Sequence, residues 1–140
     1  MKSSNVILFS KKQSSQWVFI SDSHDVENPL SLLKKGAPIS WVSSQERLIQ
    51  TLIYDETALF FVSADLTWAD PSQMISDLTR YSNVPVILTL KKNPGSNQEV
   101  LIKKAYRAGV FDICYLPSEE EELVEVVELA LKVSRQARGF

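Results

Sequence analysis

Five short apolar runs punctuate the chain, and the segments between them carry apolar residues at helical spacing. The third run, Ala58-Leu59-Phe60-Phe61-Val62, is apolar at every position and stops abruptly at Ser63-Ala64-Asp65. A strand of that kind is covered on both faces, as in a parallel sheet held between helix layers. The other predicted strands lie at 17–20, 39–42, 84–90 and 110–116. A further short run, Val6-Ile7-Leu8-Phe9, precedes a polar stretch from Lys11 to Gln16. Residues 1–16 are therefore expected to be an N-terminal extension or an extra edge strand.

The segments between the strands begin and end at cap signals. Asn28-Pro29 and Asp70-Pro71 each place an N-cap residue before a proline at the first helical position. Ser43 with Glu46, Ser96 with Glu99 and Ser118 with Glu121 have capping-box spacing. Gly36 and Gly109 suit the position just past a helix end. Leu48 with Leu52, and Ile49 with Ile53, recur at helical spacing; Met74, Ile75, Leu78 and Tyr81 make the expected buried stripe of the next helix. The last helix carries Leu123, Val126 or Val127, Ala130 and Ala137 as its core stripe. Glu119 to Glu122 at its start, and Lys132, Arg135 and Arg138 near its end, complement the helix dipole.

Five strands alternating with five helices are spaced for βαβ units. With right-handed crossovers, the expected architecture is an α/β three-layer sandwich around a doubly wound, five-stranded parallel sheet of order 2-1-3-4-5. Residues 17–138 form one domain in this reading.

Composition narrows the function. A chain of 140 residues with 44% hydrophobic and 23% charged positions suits one ordinary globular core. A net charge of -2 gives no basic signal, so direct nucleic-acid binding is not expected. No apolar run approaches the ~20 residues of a membrane helix, and 6–9 is shorter than the ~7–15 residues of a secretory core. Cys114 is the only cysteine and His24 the only histidine, so this chain alone cannot build a His/Cys metal cluster. The four glycines form no phosphate-cradling motif. A cytoplasmic protein without a cofactor or metal is the expectation.

In doubly wound sheets, ligands and chemistry gather at the carboxyl ends of the strands. There the sequence offers Ser21-Asp22-Ser23-His24-Asp25, Ser63 to Asp65, and Lys91-Lys92. Each has a plain structural use. Asp22 is a metal ligand or the cap of a turn. His24 is a base without a nucleophile in view, or an exposed loop residue. Lys91-Lys92 hold an anion or solvate a turn, and Cys114 is a small core residue.

Three pieces carry a family resemblance: Val84-Pro85-Val86-Ile87-Leu88, then Ala105-Tyr106-Arg107-Ala108-Gly109-Val110-Phe111-Asp112, then Leu116-Pro117 before an acidic helix start. Together, from Trp17 to about Arg138, the chain resembles the response-regulator receiver domain, the CheY-like member of the flavodoxin-like folds. That family places an acidic pair after its first strand and an acceptor aspartate after its third. A hydroxyl follows its fourth strand, and a lysine precedes the proline after its fifth. Mg²⁺ sits on the carboxylates, and metal and lysine neutralise the transferred phosphoryl group.

Carried onto this chain, the acidic pair falls on Ser21 and Asp22 and the acceptor on Ser63. The hydroxyl position falls on Leu90, with Thr89 one residue early. The lysine position is Leu116, and the aromatic switch position is Ile113. The resemblance thus implies a degenerate pseudo-receiver lacking the phospho-acceptor: not an enzyme, but a signalling module that works by protein contact. It would be the regulatory part of a response or transcription regulator, joined to its own output domain or to a protein partner. In receivers the usual partner or homodimer face combines the fourth helix, fifth strand and fifth helix. Tyr106, Tyr115, Val124 and Leu131 are the interface candidates here, with Trp68 secondary. The alternatives are a phosphorylatable receiver that uses Asp65 as acceptor, and a small-ligand-binding flavodoxin-like domain.

Overall fold

A computed structural model describes residues 16–22, 39–91, 98–116 and 120–138, without the side chains of 120 and 134–138. The predicted helix at 29–35, the run at 6–9, and His24, Lys92, Ser96 and Ser118 lie outside these residues. Five strands are present: β1 (Gln16–Ile20), β2 (Ile39–Val42), β3 (Thr57–Ser63), β4 (Val86–Lys91) and β5 (Asp112–Leu116). Four helices are described: α1 (Gln45–Tyr54), α2 (Pro71–Tyr81), α3 (Glu99–Ala108) and α4 (Glu120–Arg138). The strands form one sheet of order β2-β1-β3-β4-β5, and every neighbouring pair is parallel. The doubly wound α/β fold expected from the sequence is the fold observed.

β3 occupies the centre because its side chains are apolar on both faces. Phe60 and Val62 join Val18, Ile20, Leu88 and Leu90 in one core, closed by Leu48 of α1, Met74, Ile75 and Leu78 of α2 and Ala105 of α3. Leu59 and Phe61 join Trp17, Phe19 and Ile87 in the other, closed by Leu123, Val127 and Ala130 of α4. Phe61 is fully buried there, with its ring centroid 5.5 Å from that of Phe19. Alternation along a strand sends successive side chains to opposite helix layers, so one continuous apolar run feeds both cores. Cys114 is buried in the second core, as a small apolar residue.

The caps refine several boundaries. Asp70 accepts a hydrogen bond from the Gln73 N–H at 2.9 Å, with Pro71 opening α2. Ser72 Oγ and the Gln73 N–H hold the Asp70 carboxyl below its ordinary range, with a lesser contribution from Lys104, against an opposing effect of burial. α1 is capped by Ser44, whose Oγ accepts from the Arg47 N–H, and not by Ser43. The capping-box spacing was one residue early because Ser44 holds the extended cap conformation. α3 starts at Glu99 behind Gln98, which makes no side-chain cap. Gly109 ends α3 at φ +102°, and its N–H reaches back to Tyr106 O. β4 begins at Val86 and not at 84, and at its entrance the Phe60 N–H donates to Pro85 O. Tyr81 is 60% exposed, so the buried stripe of α2 is Met74, Ile75 and Leu78 without it.

Candidate functional site at the carboxyl end of the sheet

The strand register brings the predicted positions to one edge of the sheet. Ser63 at the end of β3 pairs with Thr89 of β4, and Lys91 pairs with Leu116 of β5. Ser21 is buried just past β1, and Asp22 beside it is exposed. Thr89 is buried with its hydroxyl 3.4 Å from Val62 O, on the α4 side of the sheet with Ser63. Leu90 points the other way, into the core under α2 and α3. Of the two positions considered for a hydroxyl, the strand therefore places Thr89 in register with Ser63.

The loop from Ala64 to Asp70 folds back over the end of β1. The Thr67 N–H donates to Asp22 Oδ1 at 2.9 Å, and the Thr67 hydroxyl donates to Oδ2 at 2.8 Å. Trp68 Nε1 donates to the Ser21 carbonyl at 3.1 Å. Ser63 Oγ accepts the Asp65 N–H at 3.1 Å, a turn closed by the side chain of its own first residue. Ala64 N–H bonds Thr89 O, which ties the loop to β4. Both oxygens of Asp22 are thus engaged by a residue of the β3–α2 loop. Thr67 was missed by the sequence reading, and Trp68 was read as a surface contact. Its ring packs against the first core.

Asp65 stands beyond this turn. Lys91 Nζ lies 3.2 Å from Asp65 Oδ2, with the side chains 67% and 60% exposed. Such an ion pair contributes little to stability because water competes for both partners.

This arrangement does not fit the metal that the family resemblance implies. Among the described residues at the ends of β1 and β3, the hard donors are Asp22, both of whose oxygens accept from Thr67, Ser63, a neutral hydroxyl that already accepts a backbone N–H, and Asp65, paired with Lys91. Among the described residues no group of three or more His, Cys, Asp or Glu side chains converges. Leu116 supplies an aliphatic chain at the family's lysine position. A serine needs an adjacent base to act as a nucleophile. Asp65, two residues on, is paired with Lys91, and Asp22, past the end of neighbouring β1, accepts from Thr67.

The interface candidates divide by exposure. Tyr106 on α3 and Tyr115 on β5 are exposed, at 54% and 43%. Val124 and Leu131 on α4 are half-buried and pack against the second core. Among the described side chains of that helix, Leu129 and Val133 are the exposed large apolar residues, one turn apart. Among the described residues no helix is long and apolar enough to cross a membrane.

No protein-family model and no curated protein sequence matches the chain. Solved structures do. A signal receiver domain of an HD-domain-containing protein from Pseudomonas fluorescens superposes with TM-score 0.74 at 18% identity, over 87% of this chain and 98% of that one. The receiver domain of NtrX from Brucella abortus gives 0.72 at 16%, over 84% and 98%. A CheY-like receiver domain protein from Methanospirillum hungatei gives 0.72 at 10%, over 88% and 98%. The order and direction of the strands, the helix layers and these superpositions agree: the chain has the fold of response-regulator receiver domains.

Proposed function

We propose that this chain is a non-phosphorylatable, receiver-like regulatory domain that acts by protein–protein contact and catalyses no reaction. One observation carries the reading: Asp22 spends both carboxylate oxygens on Thr67 while a serine, Ser63, ends the central strand. The loop that a receiver would reorganise around metal and phosphoryl group is here closed by hydrogen bonds within the protein. The surface of α3, β5 and α4, with exposed Tyr106, Tyr115, Leu129 and Val133, is the proposed contact for a second copy, an output domain or a protein partner. Regulation of transcription from the cytoplasm is the setting this reading favours.

A second reading has its own observation. Asp65 is exposed and has a cation, Lys91, at 3.2 Å, the pairing a phosphoryl acceptor would use. Incubation with acetyl phosphate and Mg²⁺ separates the two. The first reading expects no covalent label by intact mass. Stoichiometric, hydroxylamine-labile labelling that Asp65→Asn abolishes would establish the second and end the first.

A further inference from the structure

Ile49 and Ile53, one turn apart on α1, are 47% and 64% exposed, and Tyr54 beyond them is 81% exposed. Tyr81 of α2, also exposed, donates its hydroxyl to Leu52 O at 3.1 Å and so lies against the same end of α1. Ile49 and Tyr81 also line a groove of about 270 Å³ between the two helices, over buried Leu48 and Met74. The fold leaves this patch open to water. Large apolar side chains clustered in this way mark a contact surface, where the same residues scattered singly would not. The patch lies on other helices than the α3, β5 and α4 surface proposed above.

The charges at the two ends of α1 indicate what covers it. Arg47 is exposed in the first turn, and Asp55 and Glu56 are exposed just past the last. None of these three side chains has a hydrogen bond or ion pair among the described residues. α1 carries no basic residue in its last turn. Asp55 and Glu56 therefore stand uncompensated at the negative end of their own helix, a place that favours a cation or the positive end of a second helix. The same patch on a second copy supplies both. A two-fold axis across α1 runs the two copies of the helix antiparallel and makes the contact isologous. Ile49 of one copy then lies toward Ile53 of the other, and Arg47 toward Asp55 and Glu56, because both pairings are centred along the helix on position 51. Glu46 beside Arg47 offsets part of the attraction, so the charges set the register and the apolar patch supplies the affinity.

We infer that two copies of this chain pair through α1, antiparallel across a two-fold axis, with Arg47 of each copy beside Asp55 and Glu56 of the other. A contact made by one helix and the groove beside it belongs with small, transient interfaces, so association in roughly the micromolar to millimolar range is expected. Sedimentation equilibrium on the full chain tests it. The mass should rise from monomer to dimer with concentration in wild type and in Leu129→Asp. Ile53→Asp, at an exposed position, should stay folded by circular dichroism and remain monomer across the range. Charge exchange reads the register. Arg47→Glu alone, and Asp55→Lys with Glu56→Lys, should each weaken the dimer at least about fivefold, because both ends of a two-fold contact then bring like charges together. Mixed one to one, the two variants should recover the wild-type association, since each supplies the opposite charge at both ends. A wild-type monomer throughout the range overturns the proposal. So does a dimer that survives Ile53→Asp; its loss in Leu129→Asp would place the second copy on α4 instead. Charge variants that weaken the dimer and fail to recover on mixing, or that do not weaken it, overturn the antiparallel pairing.

Discussion

Asp22→Ala puts the reading of the site at risk most directly. If Asp22 is a clamp on the β3–α2 loop, removing it frees the Thr67 N–H and hydroxyl, held at 2.9 and 2.8 Å across 45 positions of sequence. A hydrogen bond to a charged group contributes about 1.5–3 kcal/mol when shielded, and less when water can replace it. Both bonds lie at the surface, so the expected loss is about 1–2 kcal/mol for the pair. For 140 residues that corresponds to a Tm lower by roughly 5 °C. Thr67→Val keeps the N–H and removes the hydroxyl alone. A double-mutant cycle by urea denaturation should then give a coupling of about 0.5–1 kcal/mol between the two side chains. Asp22→Asn can still accept the Thr67 N–H and offer an amide to its hydroxyl, so it should lose less than half as much as Asp22→Ala. A coupling indistinguishable from zero would refute the clamp. So would a wild-type Tm that rises with Mg²⁺ in the millimolar range and fails to rise in Asp22→Asn, because the carboxylate would then be serving a metal.

Four further substitutions have expected outcomes. Gly109→Ala forces a side chain into a φ of +102° with its Cβ 3.3 Å from Thr79 Cγ2, and should cost about 1–2 kcal/mol in urea denaturation. Asp70→Ala should cost about 1 kcal/mol through loss of the α2 cap. Because the Asp70 pKa is lowered on folding, its contribution is present above the unfolded carboxylate value and is lost as pH falls through the folded one. The wild-type stability advantage over Asp70→Ala should therefore narrow on acidification, and a gap constant down to strongly acid pH would contradict this. Phe61→Ala should remove about 3–5 kcal/mol, since Phe61 is fully buried between the sheet and α4 and stacks on Phe19. If α4 forms the homodimer face, Leu129→Asp should give monomer by light scattering, with a Tm that no longer depends on protein concentration; Leu131→Asp is a poorer probe because Leu131 packs on the core.

Much of the fold was legible because the local signals agreed with one another. β2 spans the residues its apolar pattern marked, and Asp70-Pro71 and Gly109 bound α2 and α3 where their backbone chemistry requires. The site was legible as positions: Ser21, Asp22, Ser63, Thr89 and Leu116 all reach the carboxyl end of the sheet. Their contacts were not. Asp22 meets Thr67 because the loop after β3 turns back across β1, and no spacing rule in a sequence marks a pairing made through neighbouring parallel strands. Thr89 lies in register with Ser63 because β4 slides to pair with β3, and counting from Pro85 pointed instead to Leu90.

Which apolar residues are inside also had two origins. Period and composition alone determined that β3 would be buried on both faces, since a strand without polar positions leaves no face for water. On the helices, period marks a stripe but not its direction. α1 has apolar residues at 48, 49, 52 and 53, and only docking on the sheet turned Leu48 inward and left Ile49 and Ile53 in solvent. α4 likewise has more apolar residues than its contact with β3 and β5 can cover, so Val124 and Leu131 pack at its edge while Leu129 and Val133 remain outside. A helix's identity is set by its local hydrogen bonds and spacing, whereas its buried side is set by the surface it meets, and that surface is built from strands distant in the chain.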